Sequence, residues 1–231
     1  MQKYLTPLSI LFAGLLIAGS FYFVQNSEDV IEEGPILTQE ELQTSVSLKK
    51  WTSVDGFSVG DPQAPIEMIE YSDYACPFCA RFWEQTLSPI KTNYIEKGLV
   101  RYTYKDLPVV GGNRASEAAH CAEEQGAFWE YHDVLYSRHS QDRGRWSNPE
   151  IHRAYAEFLG LDSDRLVSCF NERHYQQDVA DNLSEGQAAG FSGTPSFLVN
   201  DEMVLGAKPF QSFQEVIENE LSRLESEQKE D

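Results

Sequence analysis

Two cysteines separated by two residues lie inside the stretch YSDYACPFCARFWE, Tyr71 to Glu84, where a short apolar run gives way to a helical period. Gly and Pro in GDPQAP punctuate the chain before this run, and Ser72 and Asp73 close it, so 66–71 is predicted to be a strand. Phe78, Phe82, Trp83, Leu87 and Ile90 then recur at helical intervals until Pro89 disturbs the pattern and Gly98 ends it. A second strand is predicted over about 99–105. Strand, helix and strand in that order make a crossover unit with parallel strands, and the cysteines sit at its first junction.

The rest of the chain is divided by composition. Residues 111–189 read as helices, several with recognisable starts such as Asn148 before Pro149 and Asp162 or Ser163 before an acidic turn. Two short strands, 196–199 and 203–205, follow around the turn residues Asn200 and Asp201. A closing helix over about 210–224 carries the apolar stripe Phe213, Val216, Ile217, Leu221 and Leu224. Upstream, residues 25–49 are acidic and are expected to be a solvated linker, with a short helix at 38–42 as the alternative and the folded body starting near Lys50.

From Tyr4 to Val24 there is no charged residue, and about 20 apolar residues suffice to cross a bilayer as a helix. Residues 1–24 are therefore expected to be a membrane anchor, with a cleaved signal ending near IAGS as the alternative. Either route exports the body to a compartment where disulfides persist, so the four cysteines are read first as redox or structural sulfur. A net charge of −19 argues against a surface that tracks phosphates, and no nucleic-acid partner is expected.

A structural zinc site wants four ligands, and neither a second paired motif nor suitably spaced histidines are present. A purely structural disulfide closing so short a loop restricts the unfolded chain little. Redox chemistry remains. A cysteine at a helix start faces unpaired N–H groups and the positive end of the macrodipole, which favour a thiolate, so Cys76 is the expected nucleophile. Pro77 suits the first turn, where a missing N–H costs nothing. Cys79, one turn further in, suits a shielded resolving thiol. Glu70, near the end of the strand beneath, is its candidate proton acceptor, against the alternative of a solvated edge residue. Phe78 adds apolar surface and no charge.

Together these residues resemble the DsbA-like branch of the thioredoxin superfamily. The resemblance spans roughly 60–224 and rests on the strand with Glu70, the motif Cys76-Pro77-Phe78-Cys79, the insert containing CAEEQGAFWEYHDVLY, and GTPSFLVN. It implies an α/β thioredoxin fold over 50–110 and 190–231, interrupted by a helical domain at 111–189. It also implies a cis-proline turn at Thr194-Pro195, lying against the cysteines and holding an extended substrate with Pro77 and Phe78. The implied activity is thiol:disulfide exchange on exported proteins that contain cysteines, without metal or organic cofactor. An oxidising enzyme of this kind requires a quinone-linked membrane partner for reoxidation. Pro-Phe between the cysteines departs from the Pro-His of the strongest oxidants, which leaves the direction of electron flow open between an oxidase and an isomerase or reductase. Isomerases dimerise through an extra N-terminal region, and 25–47 is too short and polar for one, so a monomer is expected. From another class comes a protein carrying Cu(I) on the cysteine pair, although no Met-rich or His-rich tract supports it.

Cys121 and Cys169 stand apart in the helical block. If their helices pack side by side, they form a structural disulfide; two buried thiols or a second redox pair are the alternatives. His132 and His139 are expected on one helix face as surface or capping residues, and Phe128, Trp129, Tyr131 and Tyr136 as core.

Overall fold

The computed structural model describes residues 36–46 and 57–230, all within one unit, Ile36–Asp231. The expected membrane segment 1–24, linker residues 25–35 and 47–49 and the start of the folded body at Lys50 lie outside the described residues. Among the described residues no helix is long and apolar enough to cross a membrane.

Among the described residues, five strands form a mixed sheet in the order β1-β3-β2-β4-β5. At its centre, β2 (Ile66–Ser72) and β3 (Val100–Asp106) run parallel, with Glu70 opposite Tyr104 and Ser72 opposite Asp106. β3 alternates strictly, turning Val100, Tyr102, Tyr104 and Asp106 inward. β1 (Ser58–Val59) adds antiparallel to β3; it is too short to leave a periodic signature in the sequence. On the other side, β4 (Ser196–Val199) pairs antiparallel with β2 and with β5 (Glu202–Leu205). Asn200 makes that hairpin turn with φ of 49°, a conformation Asn tolerates better than most residues. Its side chain also accepts from the Glu67 N–H at 2.9 Å and donates to Glu220 at 2.7 Å, tying hairpin to strand and to the last helix.

Between β2 and β3 runs a helical segment, α2 (77–95). It opens as α-helix at Pro77–Phe82 and passes Pro89 with π turns at Trp83–Leu87 and Lys91–Ile95 on either side. Pro89 therefore does not end the helix; the wider turns accommodate the residue that lacks an N–H. The insert comprises α3 (Asn113–Glu123), α4 (Phe128–Ser137), the single turn α5 (His139–Asp142), α6 (Pro149–Phe158), α7 (Ser163–Asn171) and α8 (Gln176–Ala188). Helix α9 (Phe210–Glu230) closes the chain, with Phe213 packed on Phe82 and Phe197. Sheet and insert share one core, in which Tyr102 meets Trp129 and Tyr104 meets Phe128. This is the interrupted α/β arrangement that the resemblance implies.

Two expectations are corrected. Part of the acidic stretch is not solvated linker: residues Gln39–Ser45 form a helix, α1, that packs against α6. Thr38 and Glu41 cap it reciprocally, and Leu42 is fully buried beside Ile151, Ala154 and Tyr155. This is the short helix that was the alternative at 38–42; one buried leucine and a complete capping box dock it, whereas periodicity over one turn is too little to favour it over a linker. Likewise His132 and His139 are neither on one helix nor at the surface. The chain breaks at Arg138, His132 lies buried against Tyr74, Tyr104 and Tyr136, and His139 donates from Nε2 to the Ala75 carbonyl at 3.2 Å.

Candidate active site

Strand β2 delivers the chain to the site through a turn that Asp73 holds. One carboxylate oxygen accepts from the N–H groups of Ala75 (2.7 Å) and Gly112 (3.0 Å), the other from Val110 (2.5 Å) and Gly111 (3.1 Å). Burial pushes this carboxyl upward in pKa, and the four N–H donors act against that shift. A Cβ on Gly112 would sit 2.2 Å from Asp73 Oδ1, so glycine is required where the loop meets the turn. Sequence reasoning used Asp73 only as a strand boundary; the paired glycines at 111–112 were the signal it passed over.

Cys76 follows as the N-cap of α2, with extended backbone, Pro77 at N1 and Cys79 one turn in. Both sulfurs are free thiols and both residues are buried, while Phe78 between them is 52% exposed. The Cys76 thiol lies 3.3 Å from the Thr194 carbonyl oxygen, and the Thr194–Pro195 peptide bond is cis. Thr194 and Pro195 thus face the cysteine across the site. Val109 and Val110, on the loop that Asp73 holds, are exposed apolar side chains that were not singled out from sequence.

The two thiols are driven apart electrostatically. Cys76 is lowered from 9.0 to about 6, chiefly by a hydrogen bond from the Cys79 thiol; burial opposes this, while the Thr194 hydroxyl and the N–H groups of Cys79 and Phe78 reinforce it. Cys79 is pushed well above its ordinary value, by burial first and then by Cys76 and the Glu70 carboxylate. Ser72 alone among the named influences pulls it down.

Glu70 is 2% exposed and not a solvated edge residue. Its Oε1 accepts from Ser72 Oγ at 2.7 Å, and its Oε2 accepts from the Tyr102 hydroxyl. The insert reaches the same cluster: Tyr136 OH lies 2.9 Å from Ser72 Oγ, and Asp133 accepts from Trp83 Nε1 of α2 at 2.6 Å. Ser72, Tyr102, Asp133 and Tyr136 were missed as site residues, because contacts such as Ser72–Tyr136 join positions 64 apart in the chain.

Cys121 and Cys169 lie away from this site, bonded to each other across α3 and α7 with a Cα–Cα distance of 5.9 Å. Among the described residues, Glu124, Cys169 and His174 form a cluster of potential metal ligands, but its sulfur is already bonded to Cys121.

A family model described as thioredoxin matches residues 52–219. Over 175 residues the chain is 27% identical to the probable disulfide bond formation protein D of Bacillus anthracis, covering 72% of this chain and 78% of that one. It is 34% identical over 145 residues to the Na(+)/H(+) antiporter NhaA 3 of Salinispora tropica, a match that takes in 61% of this chain and spans only 21% of that relative's length. The crystal structure of oxidised BdbD from Bacillus subtilis superposes with a TM-score of 0.67 at 22% identity, over 77% of this chain and 99% of that one. At that identity the superposition shows a shared fold.

Proposed function

The chain belongs to the thioredoxin family, as a DsbA-like member of that superfamily, and from this premise we propose that it is a thiol:disulfide oxidoreductase that donates disulfides to exported proteins through Cys76 and Cys79. The observation that carries the reading is the split between the two thiols, with Cys76 at about 6 and Cys79 pushed well up. A stabilised thiolate on the outer cysteine favours the dithiol form of the pair over its disulfide, and such a pair passes its disulfide on.

In this mechanism a client thiolate attacks Cys76 Sγ of the disulfide form, the Cys76–Cys79 bond breaks, and Cys79 leaves and takes up a proton. A second client thiolate then attacks the client sulfur of the mixed disulfide, releasing Cys76 as a thiolate. Glu70 exchanges the proton with Cys79. Thr194 and Pro195, with Pro77 and Phe78, hold the client segment as an extended strand against Cys76. The buried Cys121–Cys169 disulfide supports an oxidising compartment, and the uncharged stretch Tyr4–Val24 supports a membrane anchor with the catalytic body outside. A quinone-linked membrane oxidoreductase would restore the Cys76–Cys79 disulfide.

The test is the redox equilibrium of Cys76 and Cys79 in glutathione buffers, with Cys121 and Cys169 followed separately by peptide mass. A potential well above the roughly −270 mV of thioredoxin supports a disulfide donor. A potential at or below it selects the isomerase or reductase reading, and stoichiometric Cu(I) retained against a competing chelator selects the carrier.

A further inference from the structure

Thiol exchange at Cys79 cannot proceed unless a proton moves, yet Cys79 is fully buried. The groups around it form a directed chain. As a carboxylate, Glu70 can only accept, so the single proton of Ser72 is committed to Glu70 Oε1 at 2.7 Å and that of Tyr102 to Oε2. With its proton so committed, Ser72 can meet Tyr136, 2.9 Å away, only as an acceptor, and Tyr136 must be the donor. Ser72 Oγ then keeps one lone pair for the neighbouring Cys79 thiol, and once Cys79 is a thiolate the same hydroxyl can turn and donate to it, the influence by which Ser72 pulls the Cys79 pKa down. All five residues are buried.

We propose that the Ser72 hydroxyl relays the proton between Cys79 and Glu70, with Tyr136 from the insert and Tyr102 from β3 fixing the direction of transfer. The proposal rests on the reading above that Glu70 is the proton acceptor. When Cys79 attacks, its S–H proton passes to Ser72 Oγ while the Ser72 proton passes to Glu70 Oε1. The Cys79 thiolate then bonds to Cys76 Sγ, and the bond from Cys76 to the substrate sulfur breaks, releasing a substrate thiolate. When Cys79 is instead the leaving group, the same hydroxyl returns the proton from Glu70, and Ser72 ends each cycle unchanged. The other titratable groups facing the cluster are Tyr74 and Tyr104, both kept protonated chiefly by burial, with Asp106 and Asp133 beyond Tyr74. The relay gives the inserted helices a chemical role: Tyr136 orients the hydroxyl that serves the resolving cysteine.

Ellman's reagent separates the steps on the full-length reduced protein. Its first aryl thiolate is released when Cys76 attacks the reagent, and its second when Cys79 attacks the resulting mixed disulfide. In Ser72→Ala the second phase should slow at least tenfold at neutral pH and recover as pH rises and hydroxide takes the proton directly, with the first phase unchanged. Tyr136→Phe should slow the second phase several-fold with the same recovery; it removes one hydroxyl and carries the test if Ser72→Ala fails to fold. A second phase with wild-type rate and pH profile in both variants overturns the relay. Glu70→Gln then tells the two ideas apart. If it slows the second phase while the Ser72 and Tyr136 variants do not, the relay alone is wrong; if it too leaves the phase unchanged, Glu70 is not the acceptor.

Discussion

Replacing Cys79 with alanine should raise the pKa of the neighbouring Cys76, because the Cys79 thiol is the largest single cause of its depression from 9.0 to about 6. At pH 7 the wild-type Cys76 is then roughly nine-tenths thiolate, against about one part in a hundred for an unperturbed thiol. The shift corresponds to at most about 4 kcal/mol of preference for the thiolate, at about 1.4 kcal/mol per unit. Without Cys79, the Thr194 hydroxyl and the N–H groups of Cys79 and Phe78 positions remain, so Cys76 should titrate between the two limits. A rise of one unit already lowers the thiolate fraction at pH 7 to about half. Cys79→Ser keeps a donor and should stay nearer the wild-type value. Thiolate absorbance at 240 nm, followed from pH 4 to about pH 10 in the reduced protein and checked by iodoacetamide rates, reads the effect. The same shift has a stability consequence of definite sign. A depressed folded-state pKa stabilises the reduced protein fully above 9.0 and loses that contribution as pH falls through about 6. The oxidised protein has no such term. A wild-type midpoint near 9.0, or a Cys79→Ala midpoint unchanged from wild type, would refute the reasoning.

Replacing both Cys121 and Cys169 with alanine opens a loop of 48 residues and should cost roughly 4 kcal/mol by loop-closure entropy, read by urea unfolding, with the first phase of Ellman's reagent retained. Native-state alkylation should correspondingly label Cys76 and Cys79 and spare the other two. His120→Ala strands the buried Asp106 carboxylate, 2.7 Å from Nε2, and should cost roughly 3–5 kcal/mol near neutral pH. Burial, the largest influence, would depress His120, but Asp106 with the help of Asp178 and Glu123 raises the imidazole above 6.5. Its contribution is therefore full below 6.5 and lost as pH rises through the raised value; Asp106, held below 3.8 by His120 against burial, loses its own as pH falls through its lowered value. Urea unfolding of wild type and His120→Ala should differ most between those limits and converge at alkaline pH. Leu42→Ala should cost roughly 2–5 kcal/mol and expose 39–45 to limited proteolysis; unchanged stability would mean that α1 is not part of the folded body.

Much of this protein is written in local pattern. The turn residues around 66–72, the alternation in β3, the Asn200–Asp201 hairpin and the caps Asn148 and Asp162 act over a few residues, and the structure places elements where those signals fall. The position of the cysteine pair at a helix start is of the same kind, since a helix N-terminus presents unpaired N–H groups whatever lies around it. Tertiary packing decided the rest. Whether Glu70 is solvated or buried, whether His132 faces water or three tyrosines, and whether a lone Leu42 docks its helix depend on which surfaces meet. Asp73 binds a loop nearly forty residues away, and Tyr136 reaches Ser72 across 64. Local periodicity tells each residue which side of its element it occupies; the dielectric, the hydrogen-bond partners and hence the proton chemistry come from what is packed against that side, which only the folded chain brings together.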